Sequence, residues 1–95
     1  MIKTFADKAS KELFEGTKCH RKFRWFPAAA ERKLVILDTA TSIRDLESPP
    51  GNRLEKLRGD RSGQWSIRIN DQWRLVFDWD ESGKEARNVE IVDYH

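Results

Sequence analysis

Two alternating stretches in the second half of the chain constrain its fold more than any other feature. Residues 64–69 place Trp65, Ile67 and Ile69 on one side and Ser66 and Arg68 on the other. Residues 72–79 repeat the pattern, with Trp73, Leu75, Phe77 and Trp79 against Arg74, Val76 and Asp78. A period of two is that of a β-strand with one buried face. Asn70-Asp71 between them suits a tight turn, which makes the pair an antiparallel hairpin. Ser82-Gly83 marks the next turn, and residues 86–93 form a last strand with Val89, Ile91 and Val92 as its apolar members. Leu54 and Leu57 suit a shorter strand ahead of the hairpin.

The first half carries a different rhythm. Residues 2–5 read as a short strand. Asp7 is placed to cap a helix that turns Leu13 and Phe14 inward and ends at Gly16. Pro27 suits the first turn of a second helix. Along it Ala30, Leu34 and Leu37 recur at i, i+4 and i+7, with Glu31, Arg32 and Lys33 left for solvent. Thr41 or Ser42 caps a short helical turn through Leu46, and Ser48-Pro49-Pro50-Gly51-Asn52 interrupts regular structure. The expected fold is α+β: a strand, two helices, then an antiparallel meander. One face of its sheet lies against the helices and the other is open. Arg68 and Arg74 flank the hairpin turn and should point out of that open face.

With 95 residues, the chain is read as a single domain spanning 1–95. Its one modest core leaves a site only on the surface or in a shallow groove, not in a deep cofactor cavity. The four Trp and five Phe supply that core and argue against disorder. The lone Cys19 cannot form an internal disulfide, nor a structural zinc site with its roughly four ligands. There is no Gly-rich phosphate loop, His20 and His95 are far apart, and Cys19-His20 lacks partners. No metal or cofactor is expected. The opening residues lack the apolar core of a secretory signal, and no stretch approaches the roughly 20 apolar residues of a membrane span. The expected location is the cytoplasm.

Charged residues make up 36% of the chain, against about 25% in an average domain. The net charge is only +2, so distribution matters more than total. One basic stretch holds Lys18, Arg21, Lys22, Arg24, Arg32 and Lys33; the other holds Arg53, Lys56, Arg58, Arg61, Arg68 and Arg74. Two readings stand side by side: a surface that grips nucleic-acid phosphates, and a solvated charged face balanced by Glu55, Asp60 and Asp71. Within 17–26, four basic residues, one His and three aromatics occur without an acid. That segment is either a contact for nucleic acid or the ribosome, or a basic loop whose Trp25 and Phe26 staple the second helix. The chain ends Asp93-Tyr94-His95, three side chains suited to proton transfer. Taken alone, this tripeptide also fits a frayed tail.

Taken together the motifs resemble the HigB branch of the RelE/ParE-like toxins. The resemblance runs through Pro49-Pro50-Gly51-Asn52-Arg53-Leu54-Glu55, Leu57-Arg58-Gly59-Asp60-Arg61, Gly63-Gln64-Trp65-Ser66-Ile67-Arg68, Asn70-Asp71-Gln72-Trp73-Arg74-Leu75 and Val89-Glu90-Ile91-Val92-Asp93-Tyr94-His95. It extends to Ile2-Lys3-Thr4-Phe5 and Glu31-Arg32-Lys33-Leu34, and is weakest over 17–26. It implies a small RelE-like fold, mainly antiparallel sheet on two N-terminal helices. It also implies a type II toxin that cleaves mRNA on the ribosome without a metal or cofactor. Its partners would be a helix-turn-helix antitoxin, the ribosome and mRNA, with operator DNA reached only through the antitoxin complex and no membrane involved. The family's catalytic residues match Asp93, Tyr94 and His95, with Arg58 and Arg74 as cations. Well-studied members carry a second His near the start of the Leu-x-x-Leu strand; this chain has Glu55, as some relatives do.

RNA cleavage by its own 2′-hydroxyl needs a base, an acid and cations for the transition state. On the resemblance, His95 is the acid oriented by Asp93, and Arg58 and Arg74 hold the phosphate; Glu55, where the family pattern departs, is a carboxylate near Arg58 that can serve as the base. Tyr94 positions a nucleobase, and Arg53, Lys56, Arg61 and Arg68 contact the RNA backbone. The rival readings are a ParE-like gyrase inhibitor, a non-cleaving inhibitor of ribosome function or assembly, and an inactive co-repressor.

Overall fold

The computed structural model describes residues 1–93. Helix α1, Lys8–Glu15, begins where the Asp7 carboxylate accepts the Ser10 amide at 3.2 Å. It ends at Gly16, whose φ of 75° lies in the left-handed region that glycine enters without a steric penalty. Helix α2, Pro27–Thr39, starts on its proline, whose missing N–H is no loss in a first turn. Ala30, Leu34 and Leu37 form its fully buried stripe, as their spacing predicts. Residues 43–47 and 50–52 then make two short 3₁₀ turns.

The strands are β1, Glu55–Lys56; β2, Trp65–Arg68; β3, Trp73–Asp80; and β4, Glu85–Asp93. They pair antiparallel in the order β1-β2-β3-β4. Ile67 faces Leu75, and Leu75 faces Ile91, so one row of apolar side chains crosses three strands. This row and Phe77 meet Leu13, Phe23, Leu34, Leu37 and Leu46 in the core. Burying each such side chain is worth about 1.5–3 kcal/mol before chain entropy is charged against it.

Several local expectations are revised. Residues 2–5 do not form a continuous strand. They make two isolated parallel bridges to β4, at Ile2–Ala86 and Phe5–Val89. Ile2 and Phe5 are three apart, which the period of two cannot place on one side, so the chain touches β4 only at intervals. The short strand near Leu54 and Leu57 is the pair between them, Glu55–Lys56. Lys33 is not left to solvent but is half-buried, with its ammonium on the Asn52 side-chain oxygen at 2.5 Å. Val92 faces away from the core row, because its partner is Arg74.

The face opposite the helices is also less open than expected. Ser66 and Val76, cross-strand partners on that face, are fully buried. The connection from β1 to β2 folds back over them. Leu57 donates its amide to the Gln64 carbonyl at 2.8 Å. Arg61 reaches Glu90, the β4 partner of Val76, at 3.3 Å.

Candidate functional site

Arg74 organises the basic face. It is the cross-strand partner of Arg68, so two like charges stand opposite each other. Such a pair is unfavourable unless each guanidinium is engaged elsewhere. Arg74 donates from Nε to the buried Ser66 hydroxyl at 2.8 Å and from Nη2 to the Arg53 carbonyl at 2.6 Å. Arg68 turns to the carboxylate of Asp71 in the hairpin turn. Arg53 has φ 45°, a left-handed backbone uncommon outside glycine. Its carbonyl in that conformation is one anchor of Arg74, and its own side chain is exposed.

Asn52 holds this corner from behind. Its side chain is fully buried and donates to the Leu46 and Ser48 carbonyls, each at 3.2 Å. Its oxygen accepts from Lys33. Lys33 is held below the usual lysine range, first by burial and then by the positive charges of Arg32 and Arg68. A cationic corner therefore forms from Lys33 on α2, Arg53 on the 50–53 turn, Arg68 on β2 and Arg74 on β3.

Beside it, Glu55, Lys56, Leu57 and Arg58 line a shallow cleft of about 350 Å³. Glu55 is the β1 partner of Ser66, so it shares the face of Ser66, Arg68 and Arg74. Arg58 is exposed at the mouth of the cleft. A fixed guanidinium beside exposed cations can hold a phosphate, and a nearby carboxylate can accept a proton.

The remaining residues singled out in the sequence fall elsewhere. Lys56 is the partner of Trp65 and lies over its ring, 5.3 Å from the centroid, on the helix-packed side. Arg61 shares the basic face but is engaged with Glu90 and Gln64. Asp93 is the partner of Trp73, on the side opposite Arg74, and accepts from the Gln72 side-chain Nε2 at 3.0 Å. Tyr94 and His95 lie outside the described residues. The structure thus brings together Arg53, Glu55, Arg58, Arg68 and Arg74, with Arg61 nearby, and sets Lys56 and Asp93 on the other face.

Sequence reasoning missed Ser66 and Asn52 and took Lys33 only as one member of a basic stretch. Alternation puts Ser66 on the face of Arg68, but only the strand register brings it to Arg74. Among the described residues, no group of three or more His, Cys, Asp or Glu is arranged to hold a metal ion. Nor is any helix among them long and apolar enough to cross a membrane.

Residues 3–95 match the family model of the HigB-like toxins, described as RelE-like toxins of type II toxin-antitoxin systems. The chain belongs to this family. Toxin HigB-1 of Vibrio cholerae is 45% identical over 83 residues, covering 83% of this chain and 84% of that protein. Endoribonuclease HigB of Proteus vulgaris is 35% identical over 95 residues and covers both chains completely. The fold is shared with the crystal structure of YafQ from Escherichia coli strain BL21(DE3). The TM-score is 0.67 at 12% identity, covering 98% of this chain and 93% of that one. The basic corner therefore sits on a RelE-like α+β sheet.

Proposed function

We propose that this toxin is a ribosome-dependent endoribonuclease that cuts mRNA without a metal and is neutralised by a helix-turn-helix antitoxin. The observation that carries the reading is the anchored guanidinium of Arg74, fixed on Ser66 and Arg53 among further cations and beside Glu55. A full-length relative named as an endoribonuclease supports it. In the proposed reaction, Glu55 takes the proton of the RNA 2′-hydroxyl, and the oxygen bonds to the adjacent phosphorus. The bond from phosphorus to the 5′-oxygen breaks, and that oxygen takes a proton from His95. The products are a 2′,3′-cyclic phosphate and a 5′-hydroxyl. Arg58 and Arg74 balance the charge that builds on the phosphorane oxygens. Asp93 orients His95, Tyr94 stacks on a base, and Arg53 and Arg68 hold the strand. Preformed cations need no rearrangement at the moment of reaction, while the ribosome presents the mRNA in line.

Primer extension on cellular mRNA after induction tests this. Positioned cuts that disappear in a His95→Ala variant still able to bind antitoxin are the expected result. Growth arrest without cuts would replace the reading with a non-cleaving ribosome inhibitor. A DNA-damage response would replace it with a gyrase inhibitor.

A further inference from the structure

The segment between α1 and α2 is unused by this reaction, yet it is not a loose loop. Phe23 is fully buried and packs edge-on against Trp73, with ring centroids 5.9 Å apart. Phe26 lies 5.2 Å from the same Trp73 ring. Lys22 is tied to Asp7 at 3.8 Å, and the His20 Nδ1 accepts the Lys22 amide at 3.2 Å. On this anchored base Trp25 is 83% exposed, with the Arg24 guanidinium over its ring at 5.0 Å. An indole this open costs solvation and gains nothing for the core. Lys18, Arg21 and Arg24 are exposed and have no ion pair among the described residues.

We infer that residues 17–26 form a stacking platform for single-stranded RNA, in which Trp25 receives a nucleobase and Lys18, Arg21 and Arg24 hold the flanking phosphates. A rigidly presented aromatic ring with surrounding cations is the chemistry of sequence-tolerant single-strand binding. An acidic peptide would answer the cations but leave the flat indole surface unmatched. Placement supports RNA as well. Trp73, on which the platform rests, is the cross-strand partner of Asp93, so the platform borders the end of β4 that leads to the proposed acid. The inference rests on the RNA-cutting reading and extends the substrate site beyond the cut.

The test uses the intact toxin and a short fluorescein-labelled single strand with 2′-O-methyl ribose, which cannot be cut. Fluorescence anisotropy should show Trp25→Ala binding about tenfold more weakly, with Trp25→Phe retaining most of the affinity. Arg21→Ala and Arg24→Ala should each lower the slope of log affinity on log salt by about 0.7, the value for a single strand. Because Trp25 is exposed, its urea midpoint should not move. Unchanged RNA affinity in Trp25→Ala overturns the inference, as does weakened binding of the antitoxin with RNA binding intact. mRNA cuts mapped in parallel separate the two claims. A wild type that binds the strand through Trp25 but makes no cuts fails the cleavage reading alone. One that cuts normally while Trp25→Ala binds normally fails the platform alone.

Discussion

On the helix-packed face of the sheet, Ile67, Leu75, Phe77 and Ile91 lie under two helices, and every one is an apolar side chain among others. On the opposite face Ser66 and Val76 are buried just as completely, but their neighbours are Arg74, Glu90 and the returning 57–64 segment. The first face is held by apolar area, a property that sums over residues and tolerates exchange. The second is held by particular donors and acceptors at particular distances, and loses its meaning when one is missing.

Substitutions can break this division. Phe77→Ala, on the helix-packed side, should cost about 3–5 kcal/mol in urea unfolding. A cost below about 1 kcal/mol would show that the helices do not carry the fold. Arg74→Ala, on the basic side, should lower the rate of mRNA cutting about 100-fold, and should also cost about 1–3 kcal/mol in urea unfolding because it strands the buried Ser66 hydroxyl. Ser66→Ala should reproduce part of that loss, about tenfold, because Arg74 keeps its bond to the Arg53 carbonyl. A Ser66→Ala variant with a full cutting rate would show that anchoring Arg74 is irrelevant.

Asn52 sharpens the boundary, since it is buried like a core residue yet bonded like a site residue. Asn52→Ala strands two carbonyls and the Lys33 ammonium, and should cost about 1–3 kcal/mol. It should also lower cutting, which a purely structural residue would not do at temperatures where the variant stays folded.

The smallest effect belongs to the solvent-exposed turns. Asp45 is held below the usual carboxylate range, first by the Thr41 amide and then by its hydroxyl. Asp80 is held low chiefly by the Gly83 amide and the Ser82 hydroxyl. A carboxyl whose folded pKa is depressed adds stability above its ordinary value and loses it as pH falls through the lowered one. Stability should therefore decline slightly below about pH 4, and the decline should be shallower in an Asp45→Asn, Asp80→Asn double variant followed by urea unfolding.

The helix-packed face was legible because its rule is periodicity. Leu34, Leu37, Ile67, Leu75 and Phe77 occupy the positions that spacing alone assigns. The burial of Phe23 was not legible, since it falls in a segment with no period, among four cations. Its burial follows from meeting Trp73, a residue fifty positions away. The basic corner was half legible. Arg68 and Arg74 stand out as charges in alternating strands. The anchors of Arg74, Ser66 and the Arg53 carbonyl, depend on register and on a left-handed turn, neither of which a residue list contains. The 57–64 cover was hidden for the same reason: Arg61 and Glu90 are joined only once three strands are in place.

The outer margin of β4 has one further meaning. Its amides and carbonyls at Ala86 and Val89 are taken by residues 1–6, the Asn88 amide by the Thr4 hydroxyl, and the Ile91 amide by the Ser10 hydroxyl of α1. A foreign strand cannot zip onto this side of the molecule without first prying off the chain's own beginning and displacing two hydroxyls. The far border offers only the two residues of β1. Along these described edges, two copies have little with which to knit themselves into a shared sheet.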